Sequence, residues 1–121
     1  MHLVSGIAHH YTYNYMVHLP YFCYTSAMSS GRFDWDDAKD RANQKKHGIS
    51  FFEAQFAFAD PNRVIARDLE HSKDEERFYC FGRLNDGIVT VRFTYRQGVI
   101  RIFGAGYWRK GKQIYERENQ I

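Results

Sequence analysis

Between Asp86 and Glu116 run 29 consecutive residues without an acid, carrying Arg92, Arg96, Arg101, Arg109, Lys110 and Lys112 among Phe93, Tyr95, Phe103, Tyr107, Trp108 and Tyr115. Guanidinium and ammonium groups neutralise phosphates, and aromatic faces accept bases. The charge is local: the chain holds 17 Lys plus Arg against 14 Asp plus Glu, so +6 in this run leaves the remainder at −3. A one-sided field of this kind points to nucleic acid as the partner. The bland alternative is a pair of strands whose outward positions happen to be arginine.

The charge leaves open whether the nucleic acid is bound or cut; were it RNA and cut without a metal, the reaction would require attack by the neighbouring 2′-hydroxyl, a base to take its proton, an acid for the leaving oxygen, and cations for the developing charge. The last is usually the largest contribution. Arg101 is the first choice for the scissile phosphate, as an outward strand residue in the acid-free run; its structural alternative is an ion pair with Glu75 or Glu76. Arg92 is expected outward on the neighbouring strand, and Arg77 at the start of another, where it would otherwise pair with Asp74 or Glu75. His47 and His71 are the candidates for proton transfer, because imidazole titrates near neutrality. Either can instead be structural, His47 by capping a helix and His71 by ordering a loop through Ser72 or Glu75. Lys46, Arg96, Arg109, Lys110, Lys112 and Trp108 extend the candidate RNA-binding surface, although Trp108 is expected to pack the last helix and Tyr95 to lie in the core. No metal site is expected: the adjacent pair His9-His10 cannot easily chelate one ion, and no carboxylate or thiolate follows at ligand spacing. No cofactor is implied, since there is no Gly-rich phosphate loop, and nothing favours a small-molecule enzyme.

Elements that must position these groups follow from local signals. All 31 charged residues lie at or after Arg32. The working domain is therefore placed at 32–121. Residues 1–31 are rich in Tyr, Phe and His without a sustained period, and are expected to be disordered or an extension ahead of a true start at Met28. Phe33-Asp34-Trp35 suggests an opening strand. Asp36 caps a helix to about His47, with acids in its first turn, bases in its last and Gly48 closing it. Ser50 and Glu53 form a capping box for a second helix that Asp60-Pro61-Asn62 ends. Strands follow at about 63–68 and 77–82, then Asn85-Asp86-Gly87 turns into Ile88–Tyr95 and Arg96-Gln97-Gly98 into Val99–Ala105. Alternation puts Thr90, Arg92, Thr94 and Arg101 on one face. A last helix is expected at about 112–119. The class is α+β: two N-terminal helices on one face of a roughly four-stranded antiparallel sheet, its other face available, and a C-terminal helix. Cys23 and Cys80 have no pairing pattern and read as free thiols of a reducing, cytoplasmic setting. No apolar run approaches a membrane span.

Phe33-Asp34-Trp35-Asp36, Lys39, Asn43, Lys46-His47-Gly48-Ile49-Ser50-Phe51, Glu53-Ala54, Asp60-Pro61, His71-Ser72, Glu75, Arg77, Gly82 and Arg101-Ile102-Phe103-Gly104-Ala105 resemble the BrnT toxin family over essentially all of 32–121. The resemblance implies a RelE-like fold and a ribonuclease that arrests translation. It also implies neutralisation by a BrnA-like antitoxin, a ribbon-helix-helix dimer through which alone operator DNA is bound. One position departs. Many such chains place an arginine directly after Ala105, where this one has Gly106. Arg109 or Lys110 then substitutes for it, or the chain is a weak or idle RNA-binding or corepressor module that keeps the fold and the antitoxin contact.

Overall fold

The computed structural model describes residues 32–121, and the reading of residues 1–31 lies outside them. The elements run β1 (Phe33–Trp35), α1 (Asp37–His47), α2 (Phe51–Ala54) continued by a 3₁₀ segment (Gln55–Ala59), β2 (Val64–Asp68), β3 (Arg77–Leu84), β4 (Gly87–Arg96), β5 (Val99–Gly106) and α3 (Arg109–Glu118). The caps are those that the sequence signals: Asp36 accepts from the Lys39 amide, Gly48 closes α1 at φ 72°, and Ser50 and Glu53 bond reciprocally. The sheet has five strands in the order β1-β5-β4-β3-β2. The fifth is β1, three residues long and parallel to β5. So short a strand, paired 67 positions away, leaves no local signal of its pairing.

Turn chemistry sets the register of β3, β4 and β5. Asn85 takes φ 56°, and the Gln97-Gly98 turn has φ 53° and 80°, both positive as a type I′ hairpin requires. Between Arg92 and Phe93 the pairing slips: Arg92 faces Gly104 but Phe93 faces Ile102, so Phe103 is the extra residue of a bulge on β5.

Alternation then divides the side chains. Val89, Val91, Phe93, Ile100, Ile102 and Ala105 join Phe51, Ala54, Ala57 and Phe58 in the main core, under α2 and the 3₁₀ segment. The second face is not wholly available, as the sequence suggested. Val64, Ala66, Phe81 and Ile88 are covered there by Ile114 and Tyr115 of α3. Gly111 makes this approach feasible, since a Cβ there would lie 2.0 Å from Thr90 Oγ1. Asp60 fastens α3 at its far end, its Oδ2 accepting from Tyr115 Oη at 2.6 Å and the Arg83 amide at 2.7 Å. Burial and then Asp60 push the Tyr115 hydroxyl up to about 12. Tyr95 is not a core residue; it ends β4 beside the turn and is 38% exposed. Cys80 is a free, buried thiol, pushed up by desolvation.

Candidate functional site

What α3 leaves uncovered on the second face is the half of the sheet bearing the arginines. Thr94 pairs with Arg101 and Arg92 with Gly104, so Arg92 and Arg101 point to the same side, as alternation requires. Arg77 enters that face from β3 and Asp34 from β1, opposite Arg101. The bulged Phe103 stands among them, with the Arg77 guanidinium 4.4 Å, Lys39 Nζ 5.5 Å and the Arg96 guanidinium 5.9 Å from its ring centre. A negative π-face thus lies between cations that would otherwise repel.

Helix α1 closes one side of this area, and one amide fixes it there. The buried Asn43 side chain donates to Ile49 O and Ala105 O, both at 3.0 Å, and accepts from the Ala105 amide at 3.2 Å. It completes the open edge of β5 beyond β1 as another strand would. Lys39, Lys46 and His47 lie four residues before, three after and four after Asn43, so they share its side of the helix. These residues, with Arg92, Phe103, Gly104 and Trp108, line a concavity of about 250 Å³. His47 meets the Trp108 ring edge-on at 5.0 Å. No acid pairs with Arg92, Lys39 or Lys46 among the described residues.

Other candidates are placed elsewhere. His71, with Arg77 and Arg96, borders a separate concavity of about 430 Å³ that Glu70, Asp74 and Glu75 also line. Its Nδ1 lies 2.8 Å from the buried Asp68 carboxylate, and Ser72 accepts from the Arg77 amide at 2.9 Å, so this segment orders the loop. The two histidines therefore do not share a site. Arg96 donates twice to Glu75, at 3.0 and 3.3 Å, which holds the Glu75 carboxyl below its usual range, and Arg77 lies 3.9 Å from the same carboxylate. Arg101 Nη1 donates to Asp34 Oδ2 at 2.7 Å rather than to Glu75 or Glu76.

Gly106 has a physical reason. A Cβ there would stand 2.7 Å from Trp108 Cη2, so the indole occupies the space that a side chain at 106 would need. Arg109 and Lys112 line a further concavity beyond Trp108 with Tyr107, and Lys110 a slot on the α3 side, and neither Arg109 nor Lys110 borders the Arg92 concavity.

The family profile described as the ribonuclease toxin, BrnT, of type II toxin-antitoxin systems matches residues 35–111. The chain belongs to the BrnT family. The match runs from the last residue of β1 to the first turn of α3, and so takes in His47, His71, the arginines of the sheet and Trp108. No curated relative matches the chain. As a BrnT-family member it is a ribonuclease toxin, and a type II system supplies a protein antitoxin as partner. No helix among the described residues is long and apolar enough to cross a membrane. Sequence reasoning passed over Lys39, Asn43 and Phe103 as site residues. Spacing of 39, 43, 46 and 47 on a helix otherwise poor in apolar residues was the available signal.

Proposed function

We propose that the chain is a metal-independent endoribonuclease working at the Arg92 concavity, with translation arrest as its effect and a BrnA-like ribbon-helix-helix antitoxin as its neutralising partner. The observation that carries this is one histidine and three cations, His47, Arg92, Lys39 and Lys46, lining one concavity with no acid paired to those cations among the described residues. His47 takes the proton of the 2′-hydroxyl as its oxygen bonds to phosphorus. Arg92 and the two lysines hold the non-bridging oxygens, where charge grows as the fifth ligand arrives. As the bond to the 5′-oxygen breaks, that oxygen takes a proton from a neighbouring ammonium, leaving a 2′,3′-cyclic phosphate and a 5′-hydroxyl. Arg101, a rung along the same face, grips a flanking phosphate when it exchanges Asp34 for that anion. Arg77, Arg96, Arg109, Lys110 and Lys112 extend the track in both directions, and operator DNA is reached only through the antitoxin.

Two arms test the reading. Expression without the antitoxin is expected to arrest growth with shortened transcripts, and the purified chain to cut single-stranded RNA in excess chelator, leaving cyclic phosphate ends. Harmless expression together with intact RNA would instead support an idle RNA-binding or corepressor module, which the Trp108-over-Gly106 departure favours.

A further inference from the structure

On the α3 side of Trp108 lies a slot of about 220 Å³ lined by Tyr79, Phe81, Thr90, Trp108, Lys110 and Gly111. That is below the roughly 300–1,000 Å³ of pockets for drug-sized ligands, and the right order for one planar ring system. Tyr79 and Phe81 stack at 5.8 Å and 20°, making one aromatic wall, and Trp108, 39% exposed, makes another. The Thr90 hydroxyl is buried there with no hydrogen-bond partner among the described residues. It packs against Gly111, so the slot receives its occupant between aromatic faces. The slot opens beside the cation cluster: Tyr79 is directly opposite Arg92 on the neighbouring strand, and Trp108 borders both spaces.

We infer that this slot is a nucleobase subsite, which receives an unstacked base next to the phosphate held at Arg92. A single-stranded RNA lays its phosphate on Arg92 and turns a base past Trp108 into the slot. Tyr79 and Trp108 offer faces for stacking, and Lys110 lies along the same slot. A base locked in a duplex cannot enter, so the substrate class is unpaired RNA with a preference at one position beside the cut. The inference rests on the ribonuclease reading for its ligand, but the slot can be tested apart from cleavage.

The probe is a short single-stranded oligoribonucleotide carrying one 2-aminopurine, whose fluorescence falls on stacking, together with a series in which successive bases are removed to leave abasic positions. Wild-type chain is expected to quench the 2-aminopurine. Tyr79→Leu is expected to weaken binding roughly 5- to 150-fold, the range for losing one base–aromatic stack. One abasic position should lower wild-type binding and cleavage by a similar factor, with little further loss in the variant. The abasic series needs no variant, so it decides even if Tyr79→Leu fails to fold. Binding and cutting that ignore every abasic position would overturn the subsite, as would a Tyr79→Leu chain with wild-type melting and wild-type affinity, or an RNA that is not bound. Tyr79-dependent quenching of an RNA that stays intact would keep the subsite and remove the nuclease reading.

Discussion

Two regions on the same half of the sheet use the same residue types and differ in one respect. Around His47, the cations Arg92, Lys39 and Lys46 face a concavity with no acid paired to them among the described residues. Around His71, the cations Arg77 and Arg96 lie within reach of Glu75, and the imidazole is held by Asp68. Counting arginines and histidines cannot separate the two. A cation already satisfied by a carboxylate must exchange that partner for a phosphate, and the net gain is the difference between two similar interactions. What separates the two regions is vacancy rather than charge, and a cation without a carboxylate partner gives up nothing in taking an anion.

Removing the histidines one at a time tests the contrast most sharply. His47→Ala should lower the rate of RNA cleavage by roughly 10²- to 10⁴-fold, the usual range for a lost general base. His71→Ala should leave the rate nearly unchanged and lower the melting temperature instead, because it unties the loop from Asp68. Rates on a defined oligonucleotide in chelator check both, and a reversed order would exchange the roles of the two regions.

Next in size is the arginine pair. Arg92→Ala should cost about 10²- to 10³-fold in kcat, as for one donor to developing charge. Arg101→Ala should cost less and appear mostly in KM, since the Arg92 concavity survives it. The sequence puts Arg101 first, on its place in the acid-free run and outward alternation; only coordinates show it tied to Asp34.

The Arg101–Asp34 pair shows where legibility ends. The hairpins, the α1 caps, the capping box and the shared face of Arg92 and Arg101 all follow from signals spanning about ten residues or fewer, and they stand in the fold as the sequence suggests. The second helix turns to 3₁₀ geometry after Ala54, and α3 begins at Arg109, three residues earlier than its composition suggests. The pairing of β1 with β5, the amide of Asn43 on Ala105 and the seat of Trp108 over Gly106 depend on chain segments far apart or on fit between side chains. Periodicity carries no information on either. Gly106 is instructive: in the sequence it reads as a lost arginine, whereas in the fold it is the space beneath an indole.

If vacancy is what matters, releasing Arg101 should strengthen the open region. Asp34→Asn keeps the shape of the side chain and removes its charge. Asp34 is 51% exposed and the Arg101 side chain 25%, so the pair is screened. Exposed pairs of this sort are worth roughly 0.2–1 kcal/mol, which corresponds to a gain in RNA affinity of about 1.4- to fivefold. Unchanged affinity would mean that Arg101 does not reach the phosphate track.

The smallest effect is expected where the closed region is opened. Arg96 foremost, through its hydrogen bonds, holds the Glu75 carboxyl below its ordinary value of 4.5. A carboxylate depressed in the folded state stabilises above its unfolded value, and that contribution disappears as pH falls through the folded value, which here lies under 4.5. At neutral pH the pair is therefore fully formed and competes with phosphate for Arg96. Glu75→Gln should remove this small acid-limb loss from the melting profile of the wild type. At pH 7 it should also steepen the salt dependence of RNA binding by about 0.7 in log–log slope, one added phosphate contact on a single strand. Should the slope stay the same while the acid limb changes as expected, Arg96 lies off the RNA path, and the two regions differ in position as well as in vacancy.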